Sequence, residues 1–73
     1  MGIVEDLADA LAIDALKAEE ETGDDKVVDM VAEILGADSI TTQEAFMTAI
    51  RVRKADRRAR IFLDEKLKKK SGK

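Results

Sequence analysis

The spacing of apolar residues along the chain predicts three helices. Between residues 3 and 21, apolar residues recur at intervals of three and four, which is the repeat of one helix face. A second apolar face of the same period covers residues 25–35, and a third segment, residues 42–67, contains no glycine or proline. No segment alternates with a period of two. We therefore expect a single all-α domain over residues 1–67, followed by a disordered basic tail over residues 68–73.

Glycines and polar caps mark the expected ends of these helices. Gly23 and Gly36 follow the first two apolar stretches, at the position where glycine commonly ends a helix. Asp24 is the expected N-cap of the second helix. The third helix is expected to begin with a capping box formed by Thr41 and Glu44. Because both connections are short, we expect the three helices to form an up-down-up arrangement with a long third helix.

The composition gives this chain few means of stabilising itself alone. It has 73 residues, two phenylalanines, and no tryptophan, tyrosine, cysteine or histidine. A domain of this size usually obtains only about 3–5 kcal/mol from its core, and the lack of cysteine excludes both disulfides and thiolate metal sites. Association with a second subunit is the remaining source of stability. With no histidine, cysteine or tyrosine to do acid–base or nucleophilic chemistry, we expect a protein that is not an enzyme and needs no cofactor.

Nothing in the sequence directs the chain to a membrane. No apolar run approaches the roughly 20 residues that cross a bilayer. The first apolar residues are interspersed with acids and lack a preceding basic segment, which argues against a signal peptide. We therefore expect a cytoplasmic protein without membrane contact.

Acidic and basic residues are segregated along the chain. Residues 1–38 contain twelve acids and two lysines, whereas residues 39–73 contain four acids and eleven bases. In an up-down-up bundle, we expect the acidic turn after the first helix to lie level with the start of the RVRKADRRAR run. Arg51, Arg53 and Lys54 would then pair with the carboxylates of that turn. Those carboxylates are Glu19, Glu20, Glu21, Asp24 and Asp25.

The third helix is too long for the second helix to cover, and its overhang carries an apolar seam with the spacing of a short coiled coil. Leaving its large side chains in water forgoes about 1.5–3 kcal/mol each, so we expect a second copy to cover them in a homodimer. An antiparallel dimer would also let the remaining arginines reach acidic segments of the partner. The alternative is that the first helix covers the seam within one chain. The seam consists of Val52, Ala55, Ala59, Phe62, Leu63 and Leu67.

The basic run supports two hypotheses for function. In the first, the protein is a protein–protein interaction or regulatory module, and the run is a solvated face or a docking surface for an acidic protein partner. In the second, the run contacts nucleic-acid phosphates. The second is weakened by the net charge of −3 and by the lack of aromatic residues among the bases. The residues concerned are Arg51, Arg53, Lys54, Arg57, Arg58 and Arg60.

A degenerate helix-turn-helix belongs to the nucleic-acid hypothesis. Ala32 and Gly36 have the spacing of the first helix and turn of that motif, so a recognition helix would begin with Thr41, Thr42 and Gln43. Two matching residues recur often by chance, and a helical hairpin with a capped second helix explains the same residues. We therefore favour the interaction module over nucleic-acid binding.

Overall fold

Three helices with short connections form the protein in a computed structural model, which describes residues 2–71. Helix α1 spans Ile3–Thr22, α2 spans Val27–Asp38 and α3 spans Ile40–Ser71. The described residues contain no strand, so the prediction of an all-α fold with three helices is confirmed. Each helix contacts the other two, and the packing is compatible with a bundle.

Helices α1 and α3 lie side by side and advance in the same direction. In the first half of each helix, the side chain of Arg53 donates to that of Asp9. Further along, Glu20 of α1 and Asp64 of α3 line one groove. Helix α2 contacts both and runs the other way, because each short connection reverses the chain.

The core is small and contains one large side chain that is fully buried. Phe46 has no exposed surface, and Ile50 lies one turn later on the same face of α3. Half of the buried residues are alanines, which let the helices approach closely but remove little apolar area from water. No described residue of α3 after Ile50 is buried. The core consists of Ala8, Ala12, Ala15, Leu16, Val28, Ala32, Phe46 and Ile50.

The start of α2 is capped by a side chain from α1. The backbone N–H of Val28 donates to Glu19 Oε2 at 3.0 Å. Asp24, the expected N-cap, instead accepts a hydrogen bond from the backbone N–H of Lys26 at 2.9 Å within the turn. The carboxylate of Asp24 therefore stabilises the turn, and α2 begins at Val27, two residues later than predicted.

The two internal glycines have different roles. Gly23 ends α1 as predicted, with a φ of 75° in the left-handed region. Gly36 does not end α2, which continues to Asp38. It leaves room for Gln43 of α3 instead, because a Cβ at this position would collide with the Gln43 amide. That amide donates to the backbone carbonyl of Ala32 at 2.9 Å and joins α3 to α2.

The start of α3 differs from the predicted capping box. The hydroxyl of Ser39 accepts a hydrogen bond from the backbone N–H of Thr42 at 3.1 Å. Ser39 therefore has the capping role predicted for Thr41, and α3 begins at Ile40. The earlier hydroxyl satisfies the same kind of free N–H group and adds two residues to the helix.

The far end of α3 also extends beyond its predicted limit. The sequence predicts a disordered tail from residue 68, whereas the helix contains Lys68, Lys69 and Lys70 in its last turn and ends at Ser71. Lysines at this end interact favourably with the helix dipole, which is a physical reason for the extra turn. The last two residues of the expected tail lie outside the described part of the chain. With 32 residues and no interruption, α3 is a rod of about 48 Å.

Candidate interaction surface

The predicted seam lies on the side of α3 that faces away from the core. The helical period places Phe46 and Ile50 on one side of α3. It places Val52 on the opposite side, together with the seam residues that follow at intervals of three and four. The side chains of Val52 and Phe62 are 62% and 57% exposed. The structure therefore brings the seam residues together on one open face. All six are exposed: Val52, Ala55, Ala59, Phe62, Leu63 and Leu67.

Helix α1 lies beside this seam and does not cover it. Ile13 and Glu20 of α1 line a groove together with Arg57, Ile61 and Asp64 of α3. These three α3 residues continue the side of the helix that faces the bundle. Helix α1 therefore accompanies the overhang for part of its length but leaves the seam open, contrary to the alternative prediction that the first helix covers it.

A bidentate ion pair attaches the basic run to α1. Arg53 donates from Nε and Nη2 to the two carboxylate oxygens of Asp9, at 2.6 and 2.7 Å. This hydrogen bonding lowers the pKa of Asp9 below its ordinary value of 3.8, because it stabilises the ionised carboxylate. It also raises the pKa of Arg53. Both side chains remain partly exposed, so the pair aligns α1 with α3 more than it stabilises the fold.

The predicted pairing of the basic run with the acidic turn is wrong. Among the described residues, Arg53 pairs with Asp9 in the first half of α1, and no carboxylate of the turn forms an ion pair. The reason is the register of the two helices. Arg53 lies beside Asp9, and Asp9 precedes Glu20 by about 16 Å along α1, so the basic run begins level with the first half of α1.

The other basic residues of the run are mostly unpaired. Arg60 bonds to Asp56 of the same helix at 3.0 Å. Arg51 and Arg58 are seven residues apart and border the seam on the side away from α1. Four exposed bases form no ion pair with any described carboxylate: Arg51, Lys54, Arg57 and Arg58.

Two of the three residues proposed for a recognition helix are used inside the protein. The hydroxyl of Thr42 lies 2.9 Å from that of Ser39, and the side chain of Gln43 donates to the carbonyl of Ala32. Both residues are half-buried, whereas Thr41 is exposed. The geometry of this segment is that of a capped helical hairpin.

A groove between the start of α1 and α3 enlarges the candidate surface beyond the predicted residues. It encloses about 640 Å³ and adjoins the seam at Val52. Thr48 and Ala45 precede Val52 by four and seven residues, so the spacing of the seam also predicts that these two residues belong to the same face of α3. No pattern in the sequence indicates which residues of α1 line the groove. The groove is lined by Glu5, Asp6, Asp9, Ala45, Thr48, Ala49, Val52, Arg53 and Asp56.

Comparison with known proteins assigns no family. The chain matches no protein-family model, no curated protein and no solved structure. No helix in the described part of the chain is long and apolar enough to span a bilayer. Within residues 2–71, acidic side chains do not gather in groups that would hold a metal ion.

Proposed function

We propose that the protein is a non-enzymatic interaction module that acts as a homodimer through the seam on α3. The observation that supports this proposal is the balance between exposed and buried apolar side chains. Among the described residues, twelve large apolar side chains are exposed, whereas four residues larger than alanine are buried. A contiguous exposed apolar patch, such as the one that the seam presents, is typical of a site for a protein partner. Four of the twelve belong to the seam: Val52, Phe62, Leu63 and Leu67.

The residues between these large side chains favour another helix as the occupant. Ala55 and Ala59 lie between Val52 and Phe62, at the spacing of successive core positions in a coiled coil. Small side chains at these positions allow two helix backbones to approach closely. A second copy of α3 presents the same face, and a twofold dimer uses one surface on both subunits.

The environment of the polar residues favours a protein partner over nucleic acid. Thr42 and Gln43 are occupied by hydrogen bonds within the chain, and Arg53 and Arg60 are occupied by ion pairs. The net charge of −3 opposes long-range attraction to a polyanion. The four exposed bases that form no ion pair with a described carboxylate remain available to an acidic protein partner.

The mass in solution tests the homodimer. We expect the protein to sediment at twice its chain mass of 8.0 kDa, and a Phe62→Asp, Leu63→Asp double variant to sediment as the monomer. The matched control is Ile34→Asp, because Ile34 is 69% exposed on α2 and should leave the dimer intact. A monomeric wild-type chain at high micromolar concentration, or a double variant of unchanged mass, would contradict the proposal.

Retention on a phosphate-rich matrix tests the competing hypothesis. We expect no retention at about 50 mM salt, since phosphate contacts would have to overcome the net negative charge. Retention that falls steeply as the salt concentration rises, and that is lost in an Arg51→Gln, Arg58→Gln variant, would instead support nucleic-acid binding.

A further inference from the structure

We infer that the C-terminal half of α3 from one copy docks into the groove between α1 and α3 of the other, so that the two α3 helices run antiparallel. The inference depends on the proposed homodimer and specifies its orientation, its register and the contribution of α1. It assigns the groove of about 640 Å³ to a second copy of the chain.

The two halves of the α3 surface have complementary sizes. The groove presents small side chains, including Ala45 and Thr48, whereas the distal half of the seam presents Phe62 and Leu63. In a parallel dimer each residue would face its own copy, so small residues would meet small ones and Phe62 would meet Phe62. An antiparallel dimer sets the distal half of each α3, which carries Phe62 and Leu63, against the proximal half of the other, which carries Ala45 and Thr48.

One antiparallel register aligns the residues of the seam and of the groove that follow one another along α3 at intervals of three and four. It is centred on residue 57 and places Val52 beside Phe62 of the second copy. In the middle of the interface, Ala55 and Ala59 then face each other across the twofold axis, where small residues allow the closest approach of the helices. Thr48 lies beside Lys66 of the second copy in the same register.

The charges along the surface support the same orientation. Glu5 and Asp6 line the groove and form no ion pair with any described base. Lys66 lies over the Phe62 ring, with its Nζ 5.8 Å from the ring centroid, and Lys70 follows one turn later. The antiparallel register brings these lysines to the acidic side of the groove, whereas a parallel dimer would set Lys66 against Lys66.

The chain cannot fill this groove with its own distal half. Helix α3 is continuous, so Thr48 and Lys66 of one copy are fixed about 27 Å apart along the helix axis. The segment that matches the groove in size and charge therefore has to come from another molecule.

Disulfide cross-linking of two single-cysteine variants tests the orientation. The natural chain has no cysteine, so Thr48→Cys and Lys66→Cys each introduce the only thiol, at exposed positions. A disulfide requires the two Cα atoms to be about 4.4–6.8 Å apart. In the antiparallel register, like positions of the two copies are about 27 Å apart along the axis. We expect a covalent dimer after mild oxidation of the mixed variants, and none from either variant alone.

Each other outcome overturns a defined part of the argument. A covalent dimer from either variant alone would replace the antiparallel orientation with a parallel one and leave the homodimer standing. Dimeric variants that form no disulfide in any mixture would remove the groove as the docking site. A monomeric wild-type chain would remove the homodimer itself.

A second pair of cysteine variants checks that the cross-link reflects the register and not a local change caused by one substitution. Ala45→Cys and Lys69→Cys should behave like the first pair, because residues 45 and 69 face each other in the same register. The control is a mixture of Lys54→Cys with Lys66→Cys, since residue 54 lies on another face of α3 and should give no cross-link. Far-UV circular dichroism establishes that each variant keeps its helices. Cross-linking by the control at the same rate would overturn the assigned register.

Discussion

Replacing each of the two phenylalanines by alanine distinguishes a residue needed for folding from one needed for association. Phe46 is fully buried, whereas Phe62 is 57% exposed on the seam. Truncating a buried phenylalanine costs about 3–5 kcal/mol, which is comparable to the roughly 3–5 kcal/mol that a core of this size supplies. We therefore expect Phe46→Ala to lose most of its folded population at every protein concentration.

The effect of Phe62→Ala follows from the area that a partner would cover. A phenylalanine that buries about 200 Å² in full leaves roughly 110 Å² for the interface when it is 57% exposed. At about 25 cal/mol per Å², covering that area is worth at most ~3 kcal/mol per copy, or ~6 kcal/mol per symmetric dimer. Since 1.4 kcal/mol is a factor of ten, the dissociation constant should rise by up to about 10⁴-fold.

Thermal unfolding over a hundredfold range of concentration distinguishes the two effects. The melting temperature of the wild-type chain should rise with concentration, because the proposed dimer would stabilise the folded state by mass action. Phe62→Ala should abolish this dependence and match the wild-type chain in the dilute limit. If Phe62→Ala instead lowered the melting temperature as much as Phe46→Ala in that limit, Phe62 would belong to the monomer's own core, and the reasoning from the seam would be refuted.

Two further predictions concern the helix ends and the ion pair. Replacing Gly23 by alanine places a residue with a Cβ in the left-handed region, at a φ of 75°. Urea unfolding should therefore show that Gly23→Ala loses about 1–2 kcal/mol of unfolding free energy and that Gly23→Asn loses less. Equal losses for the two variants would contradict the backbone explanation. The pKa of Asp9 is lower in the folded chain, so its pair with Arg53 stabilises the fold above pH 3.8 and that contribution is lost as the pH falls through the folded pKa. Acid unfolding should therefore depend less on pH in Asp9→Asn than in the wild type or in an Asp14→Asn control, and identical profiles for the wild type and Asp9→Asn would argue against the pair.

The helices could be predicted from the sequence because their signals are local. Three apolar periods, Gly23 at the end of α1 and the lack of an interruption in α3 depend only on neighbouring residues. The ends of α2 and α3 could not be predicted to the residue, because several local caps compete. Ser39 and Thr41 are both good caps, and Gly36 resembles a helix end until the packing of Gln43 against it is known.

The candidate surface, too, could be predicted from the sequence only in part. The open face of α3 follows from the spacing of Val52 and Phe62, since residues on one helix have a fixed angular relation. The groove beside that face depends on which part of α1 lies against α3. That register depends on how two helices distant in sequence align, with Asp9 beside Arg53. The segregation of charge along the chain led instead to the wrong prediction that the basic run pairs with the carboxylates of the turn.

The continuity of α3 has a mechanical consequence. From Ile50, the last residue of α3 described as buried, to Ser71, the helix extends about 30 Å without a break. Because the distal half is rigid, a tilt of a few degrees at Phe46 would displace the far end of α3 by several ångströms.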